Sequence, residues 1–113
     1  MVDSTQFGEL IAGDELVIVE FCAAWCEPCR TVREILHEYT STKGRSIRVI
    51  RVDIDIPDNY HITRWYNVYA VPTLMVFRRG TALWRESGVV TLKQIHRTVE
   101  RLRRDVLPAL SKD

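Results

Sequence analysis

The chain has 113 residues, 46% of them hydrophobic, which suits one ordinary domain (residues 1–113) with a real core. Sixteen basic residues against fifteen acidic ones leave a net charge of +1, and no stretch approaches the ~18 uninterrupted apolar residues of a membrane span, so neither nucleic acid nor a membrane is an expected partner. Three cysteines, two of them too close in sequence to staple a fold, suit reactive thiols in a reducing compartment. With no basic-then-apolar leader in residues 1–9, the expected location is the cytoplasm.

In chain order, Asp3 or Ser4 is positioned to cap a short helix in which Phe7, Leu10 and Ile11 share one face, and Gly13 stops it. The run Leu16-Val17-Ile18-Val19 continues through Glu20 to Phe21 and Cys22. Continuous apolarity predicts a central strand buried on both faces, in which Glu20 stands out as a carboxylate. From Cys26 or Pro28 the period becomes helical, with Val32, Ile35, Leu36 and Tyr39 on one face and Thr42-Lys43-Gly44 as the stop. Residues 46–53 read as a strand, with Ile47, Val49 and Arg51 on one face and Arg48, Ile50 and Val52 on the other. Pro57 opens a helical piece to Trp65. Residues 72–77 and 82–86 read as a hairpin about Arg79-Gly80. A last helix starts at its N-cap Thr91 and carries the stripe Leu92, Ile95, Val99, Leu102 and Val106, with Pro108 closing it. The βαβ order predicts parallel strands first, and the tight turn an antiparallel pair later.

The chemistry sits where the first strand pattern meets the second helix pattern, at Trp25-Cys26-Glu27-Pro28-Cys29. A helix N-terminus offers unpaired N–H groups and about half a positive charge, which favours thiolate over thiol. Residues three apart at a helix start lie on one face, within reach of a disulfide, and Pro28 in the first turn costs no hydrogen bond.

With that order, the sequence resembles thioredoxin from about Phe7 to the last helix. The resemblance rests on Trp25-Cys26-x-Pro28-Cys29, on Glu20 in place of a buried Asp and Arg51 in place of a Lys, and on Asp53 and Asp55 at the end of their strand. Val71-Pro72-Thr73 resembles the family's cis-proline loop, and Gly80 and Gly88 its turn and groove glycines. It implies an α/β thioredoxin fold with a mixed central sheet flanked by helices. The family's N-terminal strand is expected to be missing, since only residues 1–3 precede the first helix, and strand 46–53 then becomes an edge. Arg48 and Arg51 are expected to block pairing there, leaving a monomer or a weak dimer through that edge. Glu27, Cys22 and Tyr69 also depart from the family's usual residues.

The resemblance further implies a protein-disulfide reductase working by dithiol–disulfide exchange. Cys26 attacks a substrate disulfide and Cys29 resolves the mixed disulfide. Glu20 transfers the proton and Arg51 tunes Glu20, holding it charged more firmly than a Lys would. Trp25, Tyr69, Val71, Pro72, Gly88 and Val89 are the implied substrate contacts. No bound cofactor is implied beyond the redox-active disulfide Cys26–Cys29; the implied partners are disulfide-containing proteins and a reductase-type electron donor.

Other readings compete. A disulfide oxidase or isomerase of the same fold differs only in redox potential, and a non-catalytic partner-binding module would not need both cysteines. Metal binding is not expected, because Cys26-x-x-Cys29 supplies two ligands and no second pair exists. Glu20 and Arg51 also fit a purely structural ion pair, and Cys22 fits a small core residue. His37, His61 and His96 read as surface or core filling, Trp65 and Trp84 as packing or groove-edge aromatics, and the basic residues of the last helix as a solvated face.

Overall fold

The computed structural model describes residues 4–110. Its elements are α1 (Ser4–Ile11), β1 (Val17–Cys22), α2 (Glu27–Ser41), β2 (Arg48–Asp53), a 3₁₀ turn (Pro57–Asn59) leading into α3 (Tyr60–Trp65), β3 (Thr73–Arg78), β4 (Thr81–Ser87) and α4 (Leu92–Leu110). The sheet order is β2-β1-β3-β4, with β1 parallel to β2 and antiparallel to β3, and β3 antiparallel to β4. Among the described residues no strand precedes α1, and β2 is an edge.

Every residue of β1 is buried, as continuous apolarity demands of a central strand. Strand alternation divides its side chains between two cores. Leu16 and Ile18 join Val32, Leu36 and Tyr39 of α2 and Ile95, Val99 and Leu102 of α4. Val17, Val19 and Phe21 face the other way, toward Phe7 and Ile11 of α1 and Ile62 of α3. Glu20 shares the parity of Ile18, so it belongs to the face covered by α2 and α4.

β2 begins at Arg48 rather than Ser46, and its two arginines do not guard the edge together. Arg51 has its side chain against Glu20, which leaves Arg48 as the exposed one. α4 is capped reciprocally: Thr91 Oγ1 accepts from the Gln94 N–H at 3.1 Å, and Gln94 Oε1 accepts from the Thr91 N–H at 2.8 Å. The helix does not close at Pro108 but runs to Leu110; so near its end, a missing N–H removes a single hydrogen bond. Asp3, the alternative cap of α1, lies outside the described residues.

The β3–β4 turn has both central residues at positive φ, 51° at Arg79 and 75° at Gly80, in the twist that suits a two-residue hairpin. Its tip is fastened to the segment after α1. The Arg79 N–H donates to Gly13 O and the Gly80 N–H to Ile11 O, both at 2.8 Å, and Arg78 Nε donates to Asp14 O at 2.8 Å. Arg79 pairs with the Asp14 carboxylate.

At the end of α2, the Gly44 N–H donates to Tyr39 O at 2.8 Å, and a Cβ on Gly44 would overlap the ring of Tyr39, itself 1% exposed. The ring has no room to retreat, so Gly44→Ala is expected to cost about 1–3 kcal/mol, read as a lowered melting temperature with the oxidised disulfide intact.

Candidate active site

β1 ends at Cys22, and the chain turns through Ala23, Ala24 and Trp25, with the Cys26 N–H donating to Ala23 O at 3.2 Å. Cys26 is the N-cap of α2 in extended conformation, and its Sγ accepts from the Cys29 N–H at 3.1 Å, using one of the helix's orphan donors. Pro28 stands in the first turn. Cys26 and Cys29 are joined as a disulfide with Cα atoms 5.3 Å apart. Cys26 is 7% exposed and Cys29 0%, so the outer sulfur of the pair is that of Cys26. Glu27 is open to solvent and pairs loosely with Arg30 at 3.8 Å, an arrangement worth little at a surface.

Below the disulfide, Cys22, Ala23, Cys26 and Cys29 pack together with Ile54 and Val71 against them. Cys22 is a buried free thiol whose Sγ lies 3.7 Å from Val52 O. Burial raises its pKa, the Glu20 carboxylate adds to that, and Arg51 opposes it. Glu20 is fully buried, opposite Arg51 in the β1–β2 register, with Arg51 Nε 3.4 Å from its Oε1. Neither carboxylate oxygen has a hydrogen-bond partner among the described residues. Burial pushes the Glu20 carboxyl upward, and the guanidinium groups of Arg51 and then Arg33 oppose this without cancelling it. Arg33 escaped the sequence reading; it stands one turn beyond Cys29 on α2, and that i, i+4 spacing is the signal that could have found it.

The groove residues surround this centre. The Val71–Pro72 peptide is cis, and Val71 packs on the cysteine cluster. Gly88 sits at φ 91° and donates its N–H to Pro72 O at 2.9 Å, which ties the end of β4 to the proline loop. Trp25 is 70% exposed, Tyr69 86% and Val89 52%, so apolar side chains open to solvent surround a nearly closed disulfide. Trp25 Nε1 donates to Asp55 Oδ2 at 2.8 Å, and Tyr69 Oη to Asn67 Oδ1 at 3.0 Å. Asp55 and the buried Asn59, whose Nδ2 donates to Asp53 O at 3.0 Å, organise the loop behind Trp25. Among the described residues, no three His, Cys, Asp or Glu side chains gather as a metal site, and no helix is long and apolar enough to cross a membrane.

The family model described as Thioredoxin matches residues 1–101. Thioredoxin 1 of Nostoc sp. is 32% identical over 101 residues, covering 89% of this chain and 92% of the relative. A protein of Mycobacterium leprae named bifunctional thioredoxin reductase/thioredoxin is 28% identical over 111 residues, covering 98% of this chain and 23% of its own length. Among solved structures, the oxidised thioredoxin of Plasmodium falciparum aligns with a TM-score of 0.72 at 30% identity, over 84% of this chain and 90% of that one.

Proposed function

The chain belongs to the thioredoxin family and is a thiol–disulfide oxidoreductase that reduces protein disulfides, and from that premise we propose how its residues divide the work. The observation that carries the assignment is the Cys26–Cys29 disulfide at the head of α2, with Cys26 the outer sulfur. Once reduced, Cys26 attacks a substrate disulfide as thiolate, favoured by the helix N-terminus, and forms a mixed disulfide. Cys29 attacks the Cys26 sulfur and expels the substrate as a dithiol, leaving the protein oxidised. Pro28 stiffens the corner on which this happens.

Cys29 must lose a proton to resolve the intermediate, and Glu20 accepts it. A carboxyl whose proton affinity is raised by burial is closer in pKa to a thiol than a solvated one, which is what proton transfer near neutrality asks for. Arg51 keeps that rise in check. An extended substrate segment pairs with the backbone at Val71 and Pro72 and lies against Trp25, Tyr69, Gly88 and Val89. Trp25→Ala is expected to raise KM about 3–10-fold with kcat nearly unchanged, because a ground-state apolar contact is lost while the sulfur chemistry is not. Steady-state kinetics on a disulfide-bonded protein substrate checks it.

The electron carrier is the cysteine pair itself, with no cofactor bound. Its partners are disulfide-bearing proteins and a reductase that restores the dithiol, in keeping with the M. leprae relative whose name joins both activities. A buried free Cys22 favours a reducing compartment, and we place this electron transport in the cytoplasm. The protein acts as a monomer or at most a weak dimer, since pairing two β2 edges sets two exposed Arg48 side chains on one interface. Equilibration of the Cys26–Cys29 pair with glutathione tests the direction. A potential near about −270 mV supports the reductant, and one near about −120 mV would make it an oxidant.

A further inference from the structure

Beside the β2 edge, α2 and β2 enclose a recess of about 200 Å³ lined by Arg33, Leu36, His37, Thr40, Val49 and Arg51. Arg33, His37 and Thr40 fall at i, i+4 and i+7 on α2, so one stripe of the helix faces the edge strand. Leu36 and Val49 form the apolar floor. The polar rim is one-sided. No carboxylate of the described residues lines the recess, and the Thr40 hydroxyl donates to His37 O at 3.1 Å, so its proton is engaged. Arg33 is exposed and makes no ion pair within 4 Å among the described residues. Among the described residues, Arg51 has Glu20 as its only acid within that distance, through Nε at 3.4 Å and without a formed hydrogen bond.

We propose that this recess binds a small tetrahedral oxyanion, of the phosphate or sulfate class, between the guanidinium groups of Arg33 and Arg51. Guanidinium forks match tetrahedral oxyanions in bidentate geometry, and two of them across one recess outdo a single exposed arginine. Glu20 sets at most one negative charge against these two cations, and that charge is lost whenever the buried carboxyl, whose proton affinity burial raises, takes up a proton. Anion binding and proton binding by Glu20 therefore help one another. The groups that face Glu20 are Arg51 from β2 and Arg33 from α2, with the Cys22 thiol, itself under the influence of Asp53, on β1. An occupied recess raises the proton affinity of Glu20. On the reading of Glu20 as the proton acceptor, and only on it, the resolving step then becomes anion-sensitive.

The test is an NMR titration of the oxidised protein with sodium phosphate, and separately with sodium sulfate, at ionic strength held constant with sodium chloride. The expected result is a saturable shift of the Arg33 and Arg51 Nε–H signals and of the His37 ring, weakened about fivefold in Arg33→Gln and unchanged in Arg104→Gln on α4. Glu20→Gln, which keeps the recess and removes the acid, is expected to bind phosphate as tightly as the parent or more tightly. Shifts that never saturate, that chloride reproduces, that centre on α4, or that survive Arg33→Gln undiminished overturn the site; so does weaker binding by Glu20→Gln. All of these are binding readouts. A Glu20 with no part in the redox step would leave them as they are and would show instead as phosphate-insensitive turnover.

Discussion

Cys26→Ser is expected to lower kcat/KM for protein-disulfide reduction by at least about 10³-fold, ~4 kcal/mol of transition-state stabilisation, because a hydroxyl at the head of α2 cannot open a disulfide. Cys29→Ser is expected to fail at the next step. Cys26 still attacks, but nothing inside the protein resolves the product, so the enzyme accumulates as a covalent complex with its substrate. The two variants are distinguished by non-reducing electrophoresis after mixing with a disulfide-bonded protein: Cys29→Ser gives a band at the summed mass that dithiothreitol removes, and Cys26→Ser gives none. The burial order predicts this assignment, with Cys26 at 7% exposure and Cys29 at 0%. A trapped complex with Cys26→Ser and none with Cys29→Ser would reverse the roles.

Glu20→Gln is expected to change stability and rate in opposite senses. The Glu20 carboxyl binds its proton more tightly folded than unfolded, since burial outweighs Arg51 and Arg33. Its stabilising contribution is therefore complete below the unfolded value of 4.5 and is lost as pH rises through the raised folded value. Above that folded value the parent carries a desolvated carboxylate with both oxygens unbonded, facing one guanidinium at 3.4 Å. Gln removes the charge, keeps the shape and still offers Arg51 Nε an acceptor. Denaturant melts at pH 8 are expected to show Glu20→Gln more stable by about 1–3 kcal/mol, with the difference vanishing at pH 4. Turnover at pH 7 is expected to fall about 10–100-fold as the resolving step loses its base, flattening the pH–rate profile. A variant equal to the parent in both would reduce Glu20 to a structural ion pair.

What sequence made legible was whatever a single element decides. The unbroken run ending in Phe21-Cys22 could only be a strand covered on both faces, and a carboxylate inside it had to be buried. The motif at the head of α2 announced its own geometry, because cap, proline and both cysteines lie within four residues. What stayed hidden depends on side chains from separate elements meeting. Arg51 reads in sequence both as a neighbour of Glu20 and as a guard on the edge; the register opposite Glu20 bears out the first, and one side chain drawn inward does not serve the second. Arg33 reads as one more solvated helix charge until α2 is laid against β2. The bond from Trp25 to Asp55 spans thirty residues, and neither end carries a local mark of it. The end of α4 was misplaced because a proline is a strong stop signal in the middle of a helix and a weak one in its last turn.

The fastening of the β3–β4 turn to the segment after α1 bears on the order in which the chain folds. Ile11, Gly13 and Asp14 meet Arg78, Arg79 and Gly80 across some sixty-five residues of intervening chain, so the loop between them closes late unless other contacts have already shortened it. The hairpin forms its tip locally, and the bonds from the segment after α1 wait for that tip, while Phe7 and Ile11 pack separately on β1 and α3. The fastening is therefore expected to form late, and Asp14→Ala should leave the refolding limb of a chevron plot almost unmoved while raising the unfolding limb.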